Sequence, residues 1–246
     1  MNRILTLYLF LLLCGTASAQ QIMEWNDLQI LTDNARRTVY YEKGSKHPLQ
    51  GEYRIIRGLD EERVKLSDGI IDGDYRRYRD GVLRESGIYA KGKRNGTFTE
   101  YYQDGVTPRK ETPMQQGKID GTVKTYFRNG KIEAEKEYKQ SVESGRERRF
   151  DSKTGEQIFE SHYIDGKKDG EEWEIFEDAS TLRSRIIRHY RNGKLDGSYR
   201  VESTRDGKPY ITIEGQYTDG EKSGQWIEHN YDNNTQTCTW HGEGGA

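Results

Sequence analysis

The chain is poor in what usually holds a folded domain together. Of its 246 residues only two are cysteine, Cys14 and Cys238, and only four are proline. Apolar residues make up 32%, against roughly 45–50% on a somewhat broader count in ordinary domains. Cys14 lies in an N-terminal leader, so Cys238 is left alone and an intramolecular disulfide is excluded. An excess of one charge is also missing. Formal net charge is -2, which gives no basic field for a nucleic acid. The chain contains no Walker loop, G-x-S-x-G elbow, H-E-x-x-H pair or dinucleotide fingerprint. No enzyme class, cofactor or metal is therefore expected.

Long apolar runs are absent except at the start, MNRILTLYLFLLLCGTASAQ. Arg3 precedes the apolar run Ile4–Cys14, and Ala17-Ser18-Ala19 precedes Gln20. This is the pattern of a secretory signal over 1–19 with an A-x-A-like cleavage site. Eleven apolar residues are too few to span a bilayer. The chain is expected to be exported, whether periplasmic, outer-surface or secreted, with no transmembrane helix. Lipid attachment at Cys14 is disfavoured because Leu13 stands where lipoprotein signals carry a small residue.

What is present is glycine (27), tyrosine (17) and mixed charge (33% of residues). Balanced charge and many aromatic rings argue against disorder. High polarity with little aliphatic content fits a thin structure with little deep interior. The glycines explain how. Gly-x-x-x-Gly pairs recur at Gly69 and Gly73, Gly92 and Gly96, Gly117 and Gly121, Gly166 and Gly170, Gly193 and Gly197, and Gly220 and Gly224. Degenerate copies stand at His47/Gly51 and Ser141/Gly145. Eight units spaced 22 to 27 residues apart mark a repeat architecture, in which each unit buries its face on a neighbour.

Inside the unit, three residues before the first glycine, stand Tyr89, Tyr138, Tyr163, Tyr190 and Tyr217, with Leu66 and Met114 as apolar substitutes. The position two residues after the second glycine is read as a ring or apolar slot, with Tyr53, Tyr75, Phe98, Val123, Trp173, Tyr199 and Trp226 assigned to it and Glu147 as the exception. Further on lie pairs such as Asp80-Gly81, Asn129-Gly130 and Asp206-Gly207. Asp-Gly and Asn-Gly tolerate positive φ and suit tight hairpin turns. The segments between are rich in Tyr, Phe, Ile, Val and Thr, which is strand composition. The fold expected is all-β, an elongated antiparallel sheet of about eight hairpins, roughly sixteen strands and about 75 Å long. A second aromatic series, Tyr78, Tyr101, Tyr126 and Phe150, differs in parity from the first. Either a bulge intervenes or both faces carry rings.

Strings such as NGKLDGSYRV (192–201), DGKKDGEEWEIF (165–176) and DGEKSGQWIEH (219–229) resemble the bacterial variant of the MORN repeat. Many such chains are named toxin–antitoxin system antitoxin-like (YwqK-type) proteins. The resemblance covers 47–231. It implies a β-hairpin repeat sheet and, from eukaryotic relatives, scaffolding and membrane-proximal binding. Residues 20–46 then form an N-terminal cap or lead-in strands, and 232–246 a loose tail with one last strand around Thr235–Trp240.

Candidate chemistry is sparse. His162 and His189 both precede a repeat tyrosine and so occupy a structural slot. Cys238, His241 and His229 lack the spacing of a zinc site. Asp68, Asp72 and Asp74 do not match a calcium loop and read as turn formers. The rings Tyr75, Phe98, Trp173, Tyr199 and Trp226 form a candidate binding strip, with inter-repeat packing as the plainer reading. The function expected is a non-enzymatic protein-binding or scaffold module; the alternative is binding of envelope glycan or lipid.

Overall fold

The structure is a computed structural model that describes residues 20–177 and 182–242. The leader assignment over 1–19 lies outside the described residues. The N-terminal strands are β1 (Gln21–Glu24), β2 (Leu28–Thr32) and β3 (Thr38–Glu42). Next come β4 (Gly51–Arg57), β5 (Asp60–Ser67), β6 (Ile70–Arg79), β7 (Val82–Ala90), β8 (Lys93–Tyr101) and β9 (Pro108–Gln115). The middle holds β10 (Lys118–Ile119), β11 (Gly121–Tyr126), β12 (Ile132–Lys139), β13 (Val142–Phe150), β14 (Gln157–Ile164), β15 (Lys167–Lys168) and β16 (Gly170–Glu177). The last are β17 (Leu182–Arg191), β18 (Lys194–Arg205), β19 (Lys208–Thr218), β20 (Glu221–Asn230) and β21 (Thr235–His241). Nineteen strands form one sheet. From β4 onward the strands pair antiparallel in chain order, β10 and β11 both on β9 and β15 and β16 both on β14, and β1 adds in parallel on β4. The result is an elongated all-β ribbon of hairpins. β2 and β3 form a separate two-stranded sheet. No helix among the described residues is long and apolar enough to cross a membrane.

The first glycine of each pair is the second residue of a two-residue hairpin turn. Asp68 (φ 51°) and Gly69 (φ 72°) both lie at positive φ, as a type I′ turn requires. Seven turns repeat this, because Gln140 (φ 51°) and Ser141 (φ 71°) keep the geometry without a glycine. The expected eighth unit does not: His47 precedes an isolated bridge between Tyr41 and Pro48, not a hairpin turn.

The second glycine makes a wide bulge. Val64 pairs with Tyr75 and Leu66 with Ile71, so Lys65 alone faces Asp72, Gly73 and Asp74. The same slip recurs opposite Gly87, Glu137, His189 and Gly215. The second glycine itself pairs with the tyrosine slot of the next unit, as in Gly73 with Tyr89 and Gly197 with Tyr217.

The acid between the glycines has a different job from the turn-forming role expected for Asp72. Its carboxylate reaches forward and accepts the next turn's N–H: Lys91 N to Asp72 Oδ1 is 3.1 Å and Asn192 N to Asp169 Oδ2 is 3.0 Å. Gln50 and Asn95 do the same with their side-chain carbonyls. Alongside, each turn's glycine N–H donates to a carbonyl two residues past the previous first glycine, as Gly92 to Ile71 and Gly220 to Leu195, both at 2.8 Å. The turns are thus stitched into a row along one rim of the ribbon.

Burial is unequal along the ribbon. The hydrophobic cluster gathers Leu49, Tyr53, Ile55, Val64, Leu66, Ile71, Tyr75 and Phe98, with Met23, Trp25, Leu28 and Tyr40 packed on it. The N-terminal segment therefore caps the sheet face of β4–β8. Beyond Phe98 only Val123, Phe159 and Trp226 are buried apolar side chains among the described residues.

Candidate functional site

The predicted ring series divides between the two faces. The tyrosine slot and the residue two past the second glycine point to one face, here called the spine face. Tyr75, Tyr89 and Phe98 meet there with centroids 5.3 and 5.4 Å apart across successive pairs. Tyr199, Tyr217 and Trp226 repeat that triad at 5.3–5.6 Å. Tyr75, Phe98 and Trp226 are buried, and Tyr199 is half-buried. Trp173 is not in this group. It lies three residues past Gly170, so its ring is on the reverse face, 5.0 Å below the Arg185 guanidinium. Its expected place is taken by Glu172, which is 1% exposed.

Two middle units therefore carry an acid where the others carry an apolar group. Glu147 accepts from the Tyr163 hydroxyl at 3.1 Å and pairs with Lys136 Nζ at 3.1 Å and Arg149 at 2.8 Å. Burial pushes the Glu147 carboxyl up, but the Arg149 and Lys136 hydrogen bonds outweigh it and hold it below the usual range. Glu172 pairs with Lys168 and with Arg188, the latter at 3.3 Å. The cations double as lids: Lys136 lies 4.6 Å over Tyr163 and Lys168 5.0 Å over Tyr190. Tyr138 borders the same cluster, its hydroxyl pushed up by burial. Both acids are buried, and each is matched by cations on the same face.

The second aromatic series is on the reverse face, so both faces carry rings. Tyr78 stacks under Arg63 at 4.3 Å, the Tyr101 hydroxyl meets Ser86 Oγ at 3.0 Å, and the Tyr126 hydroxyl donates to Glu111 at 2.6 Å. Burial and that carboxylate raise Tyr126 to about 12.

On the reverse face of β16–β21 the ribbon curves into an open trough of about 680 Å³. Its floor carries Ile187 and Ile227, its polar lining Gln216 and Gln225, and its rim Glu171, Arg200 and Glu214. Trp240 on β21 closes one side and is 62% exposed. Arg200 is held by Glu202 at 2.9 Å and Glu214 at 3.4 Å. Trp240 was legible only as part of the tail; neither period nor motif marks it.

Ser198, His189 and Glu171 also line the trough, with Ser198 Oγ 2.9 Å from His189 Nδ1 and Glu171 3.6 Å from Nε2. The arrangement resembles a nucleophile and its base, but the repeat explains it. His189 Nδ1 lies 3.2 Å from the Ser198 carbonyl, as His162 Nδ1 lies 3.1 Å from that of Glu171. A carbonyl only accepts, so the contact shared by the two histidines is that of an Nδ1–H donor, a structural role common to both units. Both side chains cover their own unit's second glycine, with Cβ atoms 3.8 Å and 3.0 Å from where a Cβ on Gly170 and Gly197 would stand. Lys65, Pro113 and Glu137 fill the same slot in other units. Among the described residues, no group of three His, Cys, Asp or Glu side chains could hold a metal.

No family model matches the chain, and no curated protein matches it.

Proposed function

We propose that this chain is an exported, non-enzymatic scaffold that binds another protein on the reverse face of its C-terminal half. The observation that carries the reading is the open trough of β16–β21, with exposed Trp240 beside Ile187 and Ile227 inside a charged and amide-bearing rim. An aromatic anchor ringed by polar groups is the composition of a binding hot spot. The buried rings of the spine face serve packing; Trp240 is more exposed than Phe176 or Tyr231. The leader pattern over 1–19 supports export. The resemblance to antitoxin-like repeat proteins supports a protein ligand.

A crosslinked pull-down from native cells, comparing the parent with Trp240→Ala, tests this. One dominant protein partner, lost in the variant, supports the scaffold reading. A partner retained at full level by Trp240→Ala overturns the site. A second reading, binding of an envelope glycan, is favoured by the same indole next to the Gln216 and Gln225 amides, since a sugar ring stacks on an aromatic and hydrogen-bonds to amides. Recovery with wall material and no protein partner would move the function there.

A further inference from the structure

Among the described residues β21 is an edge of the sheet, bonded on one side to β20, and it is unlike the other strands. An unpaired edge strand offers a row of N–H and C=O groups to any other strand. Native proteins usually blunt such edges with charge, proline, a bulge or shortness. β21, TQTCTWH, has none of these. It spans seven residues, pairs with β20 in unbroken register, and lies almost wholly exposed. It is the one strand of the 19-stranded sheet, among the described residues, without an Asp, Glu, Lys or Arg, in a chain where those make up 33%. The opposite edge, β1, is only four residues long and carries Glu24.

We infer that β21 is a dimerisation edge, and that its occupant is β21 of a second copy, paired antiparallel about a two-fold axis through Cys238. The strand's composition selects this occupant. Cys238 is the middle residue of Thr235–His241, so the axis sets Thr237 against Thr239, Gln236 against Trp240 and Thr235 against His241. Every facing pair joins residues without a formal charge, and β-branched threonines face each other, a favourable cross-strand combination. Self-pairing of a neutral strand meets no like-charge repulsion. Head-to-tail growth onto β1 would match a seven-residue edge to a four-residue one. The two-fold closes the assembly as a dimer. Seven facing pairs exchange roughly six to eight main-chain hydrogen bonds. The interface is small, so the dimer is reversible, with a dissociation constant of roughly 10–100 µM. The two troughs then lie on the same side of one continuous sheet.

The test uses Thr237 and Thr239, which face away from the trough, so it is independent of the partner site. Protein purified from cells expressing the full-length sequence is followed by sedimentation up to about 1 mM. The parent should dimerise, in reductant as well as without it. The Thr237→Lys, Thr239→Lys double variant and its Glu counterpart should each stay monomeric, their like charges facing across the axis. Mixing the two should restore a one-to-one heterodimer. A parent that stays monomeric, a dimer that disappears in reductant, or one untouched by the lysines overturns the inference. Hydrogen exchange on the parent supplies a check that needs no variant. The β21 amides that point away from β20 should exchange several-fold more slowly at high than at low concentration. Exchange indifferent to concentration overturns the inference as well.

Discussion

A methyl group on Gly215 would sit 2.2 Å from Trp226 Cδ2, and one on Gly87 would sit 2.6 Å from Phe98 Cδ1. Neither glycine has an unusual φ; each is small because a neighbouring ring lies flat over its backbone. Gly215→Ala and Gly87→Ala should each cost about 1–3 kcal/mol, the usual range for overpacking. Urea midpoints at constant slope would show it, and a loss below about 0.5 kcal/mol would refute the close approach. Ser161 is the opposite case. It is 1% exposed, and its hydroxyl has no hydrogen-bond partner among the described residues. Ser161→Ala should be neutral or stabilising by up to about 1 kcal/mol. Glu62 supplies a pH test. Burial, reinforced by the Glu85 and Asp60 carboxylates, raises its carboxyl despite the Tyr75 hydroxyl and Arg77. The folded chain holds that proton more tightly than the unfolded chain. Stability from this group therefore falls as pH rises from the ordinary glutamate value through the raised one. Glu62→Gln should gain on the parent at neutral pH and lose that gain below about pH 4; midpoints measured across that range decide. Little at this scale was legible beforehand. Gly87 and Gly215 stand outside the paired-glycine pattern; the shift of Trp173 by one residue, which decides its face, was countable, since it stands third after Gly170 where Tyr199 stands second after Gly197.

The turns were the most readable elements, because two consecutive positive-φ residues leave few choices but Asp-Gly and Asn-Gly. Where the chain departs from that choice, stability can be recovered. Lys91 sits at φ 51°, a region that favours Asn over Lys. Lys91→Asn should add about 0.5–1 kcal/mol, read as a higher melting temperature. The bulges and the stitching between turns were not legible. A glycine in a strand pattern signals some irregularity but not that three residues face one. Likewise an Asp next to a turn gives no sign that it serves the following turn. Asp169→Ala removes the acceptor for Asn192 N and should cost about 1 kcal/mol. Hydrogen exchange should quicken at the Asn192 turn; an unchanged rate there would rule out the stitching role.

The overall plan follows from the period: one hairpin per unit, each paired with the next. A compact globule of the chain after residue 19 would have a radius of gyration near about 17 Å. The ribbon should scatter as a longer body, above about 21 Å, at concentrations where the chain is monomeric. The period says nothing about where stability is concentrated. Buried apolar side chains crowd the capped end around Leu49–Phe98, whereas the middle units rest on Glu147, Glu172 and their cations. Stability in repeat proteins is nearly a sum over units and interfaces. Amides of β4–β8 should therefore exchange most slowly and those of β11–β21 by easier partial opening. Uniform protection would contradict this picture.

The one-after-another pairing of hairpins also decides how the molecule answers force. From β4 to β21, counting β10–β11 and β15–β16 each as one interrupted strand, every strand is hydrogen-bonded to the next in the series, and β4 also to β1. Tension applied beyond His241 therefore loads one residue pair of β21 and β20 at a time, then one pair of β20 and β19. Such a chain lengthens by unzipping at low force, a hairpin at a time, until the opening front reaches the capped end.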